Sequence, residues 1–194
     1  MMFPWPAFIS YIIITTSTPG PNTISSMSNG SKVGFIKTIP YTLGIFTAFS
    51  LIMMACAVFT AGLFRLMPTI KTPMLFIGAA YIFWLAYKLL RSDAAIDTGS
   101  SSSASFGSGF LLQLVNPKIY IYGITALSGF ILPHYDSLPI ILGFCVLLAF
   151  TGFVFCLLWA GFGSLFRTVF AKHARILNAV MAGLLVYSGI ALFF

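Results

Sequence analysis

Six long apolar segments leave this chain few ways to fold. They run from about Trp5 to Thr18 and on, interrupted, to about Ser28; from Thr38 to Phe64; Thr72 to Tyr87; Phe106 to Leu132; Leu138 to Phe166; and Ile176 to Phe194. A helix needs about 20 largely apolar residues to cross the hydrocarbon core of a bilayer, and these segments are of that order. They are apolar all round instead of alternating over stretches of about ten residues, which excludes a β-barrel. Charge argues the same way. Only 7% of the 194 residues are charged, and the acids are three, Asp93, Asp97 and Asp136. A water-facing domain carries about 25% charged residues, so lipid has to be the solvent for most of this exterior. The expected fold is all-α, a polytopic membrane protein with six transmembrane helices.

The net charge of +7 does not point to nucleic acid, because the ten Lys and Arg are scattered singly between apolar runs with no basic face or arm. They sort by side of the membrane instead. Lys32 and Lys37 follow the first segment, Lys88 and Arg91 the third, and Arg167, Lys172 and Arg175 the fifth, whereas the opposite side has only Arg65 and Lys71. Basic loops stay in the cytoplasm, so both termini are expected to face outward, in the periplasm if the membrane is a bacterial inner one. The opening MMFPWPAFIS lacks the basic start and small-residue cleavage site of a signal peptide, and reads as the beginning of a retained span. Cys56, Cys145 and Cys156 are odd in number and irregular in spacing. They form no disulfide framework or zinc site and are expected as small apolar residues. No metal or other cofactor is expected.

The longest polar stretch, RSDAAIDTGSSSSAS from Arg91 to Ser105, has five serines between Ser100 and Ser105 and the composition of a flexible linker. It divides the chain into residues 1–90, a linker 91–105 and residues 106–194. Each half then has three spans, and an odd number of crossings makes the second half enter the membrane inverted.

The first span of each half is interrupted. Thr18-Pro19-Gly20-Pro21-Asn22 cannot continue a helix, because each proline removes an N–H donor and clashes with the preceding turn. In the fourth segment, Asn116 is a good N-cap and Pro117 a good first helical residue, so a half-helix is expected to start in mid-span. Broken backbone in a membrane survives only inside protein or beside water. Breaks at corresponding places in two inverted halves point to a transporter binding site, where half-helix N-termini offer N–H groups to an anion such as a carboxylate.

These residues also carry a resemblance. TPGPN at 18–22, Gly78-Ala-Ala-Tyr-Ile-Phe-Trp-Leu-Ala-Tyr-Lys88 and Leu114-Val-Asn-Pro-Lys118 resemble the signatures of the LysE/RhtB superfamily of bacterial amino-acid exporters. The likeness spans essentially the whole chain. Within the superfamily, VNPKIYIYGITALSGFILP at 115–133 is most similar to the members that export cysteine and O-acetylserine. One departure is Ala86, where the family usually has glycine, which bears only on local helix packing. The resemblance implies efflux of small amino acids across the inner membrane, driven by an ion gradient. Homoserine, threonine and other amino acids are the alternative substrates.

Lys118 is the one charge deep inside a segment. An ionisable group there is costly and reads as functional, either pairing with a substrate carboxylate or changing protonation. No Asp or Glu lies within any segment, so proton coupling would fall to Lys118, Tyr81, Tyr120, Tyr122 or the substrate's own amine. Gln113 lies one turn before Asn116, on the same helix face. The residues expected to hold substrate are therefore Pro19, Gly20, Pro21, Asn22, Tyr81, Gln113, Asn116, Pro117 and Lys118. Thr15, Thr18, Thr42 and Thr125 are further polar candidates that more often bond back to their own helix.

An enzyme is disfavoured. The chain has no Glu for a metalloprotease motif, and His134 and His173 lie outside the segments. A channel or a non-transporting membrane subunit is the remaining alternative; the acidic rings common in cation channels cannot be built here, and a scaffold would not need matched breaks at Pro19 and Pro117. The expected partners are a small amino acid and the bilayer, and a homodimer is left open.

Overall fold

The computed structural model describes residues 2–91 and 104–190; the side chains of 59–75, 78, 170, 171 and 174 lie outside the description. Most of the serine-rich linker, with Asp93 and Asp97, falls outside the described residues. No strand occurs among the described residues. The helices are α1 (Trp5–Ser17), α2 (Pro21–Val33), α3 (Phe35–Arg91), α4 (Phe106–Val115), α5 (Pro117–Ala126) with a π-helical turn (Leu127–Ile131), α6 (Leu138–Leu165), α7 (Arg167–Lys172) and α8 (Ala174–Ile190).

Among the described residues, two helices are long and apolar enough to cross a bilayer unaided, the stretch Phe35–Val58 of α3 and α6. The interruptions explain part of the difference from six. α1 has 13 residues and α4 and α5 have 10 each, so each is about 15–20 Å long, too short to span alone.

A second difference lies in α3. The sequence suggests a loop around Arg65 and Lys71, yet the backbone is helical from Phe35 to Arg91. A straight rod would separate Tyr41 from Tyr81 by about 60 Å. Instead Tyr41 and Ile45 share a buried cluster with Tyr81 and Leu85. The chain therefore reverses direction between Val58 and Phe76, giving α3 two arms that pack in one bundle.

The bundle has apolar clusters in its core and an apolar exterior, and it buries one polar helix. α2, PNTISSMSNGSKV, is buried from Pro21 to Ser31 save for Ser25. α6, by contrast, leaves Phe150, Leu158 and Leu165 exposed, a surface that suits lipid and not water. Small residues admit α2 to the centre. A Cβ on Gly30 would strike the Ala160 backbone of α6, and one on Gly163 would strike the Met27 backbone of α2. The two helices thus touch backbone to backbone, as glycine permits in membranes. α4 and the first arm of α3 cross in the same way, Gly109 against Tyr41 and Gly44 against Phe106. α2 ends at Gly34, whose φ of 89° lies in the left-handed region and whose N–H donates to Gly30 O at 3.0 Å.

The two ends of the bundle differ in chemistry. Phe3 packs on Trp5 (4.6 Å), His134 (5.3 Å) and Tyr135 (5.4 Å), which joins the N-terminal segment to the turn before α6. Elsewhere the Arg167 guanidinium donates to Lys32 O at 3.2 Å, and the charge of Lys88 bears on Lys32. Basic residues following the first and fifth segments therefore meet.

Candidate functional site at the two helix breaks

The two breaks lie side by side. Asn22, in the first turn of α2, donates through Nδ2 to Gln113 Oε1 at 2.6 Å, and its Oδ1 accepts from Asn116 Nδ2 at 3.2 Å. Asn116 Oδ1 in turn accepts the Lys118 backbone N–H at 3.2 Å, capping α5. Residues more than 90 positions apart are thus joined by a buried amide network. Gln113 is fully buried and Asn116 almost so, and amides in such a place need partners.

Each break has its own construction. At the first, the Gly20 N–H donates to Thr23 Oγ1 at 2.9 Å, and that hydroxyl donates back to Gly20 O at 3.1 Å. Pro19 and Pro21 have no N–H, so the carbonyls of Thr15 and Ser17 have no donor at i+4. At the second, the Asn116 N–H reaches Gln113 O at 3.3 Å and the Tyr120 hydroxyl reaches Leu114 O at 2.9 Å. The carbonyls left by Pro117 and by the cap are taken up locally.

Between the breaks lies a cavity of about 30 Å³, lined by α1 (Thr15, Thr16), Thr18, Gly20, the start of α2 (Pro21, Asn22, Thr23), Phe49, Asn116, α5 (Lys118, Ile119, Tyr122) and α6 (Gly152, Cys156). It holds only a water or two, so an amino acid enters only if the bundle opens. The Lys118 side chain enters this space: its Nζ lies 3.5 Å from Thr18 O, and a Cβ on Gly20 would sit 3.4 Å from Nζ. Two buried polar atoms have no hydrogen-bond partner among the described residues here, Gln113 Nε2 and the Tyr122 hydroxyl.

Of the residues expected from sequence, Gly20, Pro21, Asn22, Asn116 and Lys118 line the cavity. Gln113 is one hydrogen bond behind it. Pro19 and Pro117 flank the breaks but are not among the lining residues. Tyr81 stands apart, half-buried with Tyr41, Ile45 and Leu112 and with Trp84 at 5.6 Å. Phe49, Gly152 and Cys156 carry no sequence signal for a site. Thr23 does, since it falls three residues after Gly20, the spacing of a capping residue.

An anion suits this cavity. The N-termini of α2 and α5 present positive dipole ends, and Lys118 adds a full charge. Thr18 O, at the end of α1, is the negative pole in contact with that charge among the described residues.

The sequence matches the LysE type translocator family over residues 13–194. It is 39% identical, over 97% of this chain and 96% of theirs, to the cysteine/O-acetylserine efflux proteins of Escherichia coli and Salmonella typhimurium. No solved structure matches it. With its apolar exterior and interrupted helices, the chain belongs to the LysE type translocator family, and it is a membrane transporter and not an enzyme.

Proposed function

We propose that this protein exports small neutral amino acids, cysteine and O-acetylserine among them, across the bacterial inner membrane, and that substrate binds between its two helix breaks. The observation that carries the reading is the Asn22–Gln113–Asn116 network, which holds the interruptions of both halves against one cavity. Similarity to cysteine/O-acetylserine efflux proteins along nearly the whole chain supports the substrate.

The membrane arrangement is six spans in two inverted repeats. Half-helices that are too short singly become long enough when α1 is taken with α2, and α4 with α5. Each broken span crosses the middle span of the other half through glycines, α2 on α6 and α4 on α3. The third spans also meet, Gly189 of α8 against Phe83 of α3. The contact of Arg167 with Lys32 supports a cytoplasmic basic face with both termini outside. Cysteine labelling of added surface residues in intact cells reads the orientation; labelling of Met2→Cys only after the membrane is permeabilised would reverse it.

An ion gradient drives export in this reading, with Lys118 or the substrate amine carrying any proton. Compact size is the argument for a homodimer, which photobleaching of single labelled copies in lipid reads directly.

Efflux of labelled cysteine, O-acetylserine and threonine from loaded vesicles tests the function. Saturable efflux of the first two, abolished by Lys118→Ala and strongly reduced by Asn116→Ala, is the expected result. Folded wild-type protein that moves none of them sinks the reading and favours a channel or a non-transporting subunit.

A further inference from the structure

An amino acid is a zwitterion, and the cavity must answer both of its charges. The carboxylate is provided for by the starts of α2 and α5 and by Lys118. No acidic side chain lines the cavity to receive the ammonium. The first break supplies a different acceptor. Pro19 and Pro21 deprive the carbonyls of Thr15 and Ser17 of their i+4 donors, and the Gly20 N–H is spent on Thr23. The C-terminal end of α1 is thereby a cluster of carbonyls at the negative pole of a helix dipole, with Thr15, Thr16 and Thr18 on the cavity wall.

An ammonium already sits there. Lys118 occupies the first turn of α5 and approaches Gly20 at the start of α2, so its charge lies near two positive dipole ends. The compensating contact is the one to Thr18 O at 3.5 Å, a long contact that a ligand can replace. Tyr122 lines the same cavity, and its buried hydroxyl has no partner among the described residues, which leaves a further polar atom for the group that enters.

We infer that the carbonyl end of α1 is the subsite for the substrate's ammonium group, and that Lys118 fills it in the empty protein as an internal stand-in. Binding is then an exchange. The substrate carboxylate draws Lys118 away from Thr18 O, and the substrate ammonium takes the vacated carbonyls. Both charges are required, because a carboxylate alone leaves the carbonyl end without a cation and an amine alone has to displace a lysine with nothing to draw it off. This inference rests on the binding site proposed above.

Thermal stabilisation of the purified protein by ligand, which needs no transport, tests it. The probes are cysteine, cysteamine (no carboxylate), 3-mercaptopropionate (no amine) and N-acetylcysteine, all under reducing conditions. In wild type only cysteine should stabilise. In Lys118→Met, cysteamine should bind about tenfold more tightly than in wild type, the scale of one charge-assisted contact, while cysteine weakens. Lys118→Arg should keep the wild-type order. If cysteamine binds Lys118→Met no better than wild type, or if N-acetylcysteine stabilises wild type as well as cysteine does, the inference is overturned. Should Lys118→Met not fold, the wild-type panel and Lys118→Arg still decide it. A gain for cysteamine in Lys118→Met, with no binding of cysteine or O-acetylserine to wild type, would uphold the ammonium subsite while removing the proposed substrates. Sodium-dependent stabilisation without any amine effect would assign the carbonyls to a metal cation and overturn the inference.

Discussion

The two helix breaks are made from similar residues and do different work. The first is wide, with Thr18, Pro19 and Gly20 between α1 and α2, and its second proline starts α2. The carbonyls it strips of donors lie at the end of α1, whose Thr15 and Thr16 line the cavity. The second is a single residue, Asn116, which ends α4 and starts α5. There the loose ends are tied: Asn116 N–H to Gln113 O, Tyr120 hydroxyl to Leu114 O, and Asn116 Oδ1 to Lys118 N–H. An open break leaves carbonyls without helical donors; a closed one aims a side chain. The asymmetry places Lys118 on the closed side and its acceptor on the open side.

Asn22 holds the breaks together, and its loss should have the largest effect. Asn22→Leu leaves Gln113 Oε1 and Asn116 Nδ2 buried without partners, at about 1–3 kcal/mol for each group. A lower melting temperature in detergent and lost efflux are expected, and unchanged stability would show that the breaks do not depend on one another. Pro19→Ala returns an N–H to Thr15 O and narrows the open break. Its stability should stay within about 1 kcal/mol of wild type, while efflux drops several-fold; full efflux would mean that the first break need not be open. Tyr120→Phe opens the closed break by releasing Leu114 O, costing about 1 kcal/mol. Efflux should persist, since Tyr120 is not among the residues lining the cavity. Loss of efflux in a stable Tyr120→Phe protein would erase the distinction between the two breaks.

Much of this was legible in the residues. Pro19, Pro21 and Pro117 cannot be accommodated inside a helix, so the positions of both breaks follow from local chemistry. Gln113 and Asn116 were placed on one face by helical spacing, and both do bond Asn22. Tyr81 was less legible. It has the look of a functional polar residue in an apolar run, but helical spacing does not say which neighbour a face meets, and here it meets Tyr41, Ile45 and Leu112. The reversal within α3 falls in the stretch that holds Arg65 and Lys71, where a loop is expected from sequence, but the backbone there stays helical, because charge in a sequence marks exposure to water and not the end of a helix. Phe49, Gly152 and Cys156 were invisible as site residues, being ordinary apolar residues that other elements bring to the cavity.

The sequence by itself determined that the chain lives in lipid, that it is helical, where two of its helices must break, and which single charge lies within the bundle. Each of these follows from local physics: the cost of charge in hydrocarbon, the missing N–H of proline, and the length of helix a bilayer demands. Only the tertiary structure decided that polar α2 lies at the centre and that the two breaks face one another. The same is true of Lys118, which reaches 100 positions back along the chain to Thr18. Those are contacts between elements far apart in sequence, selected by which glycines let backbones touch, and no local pattern encodes a partner.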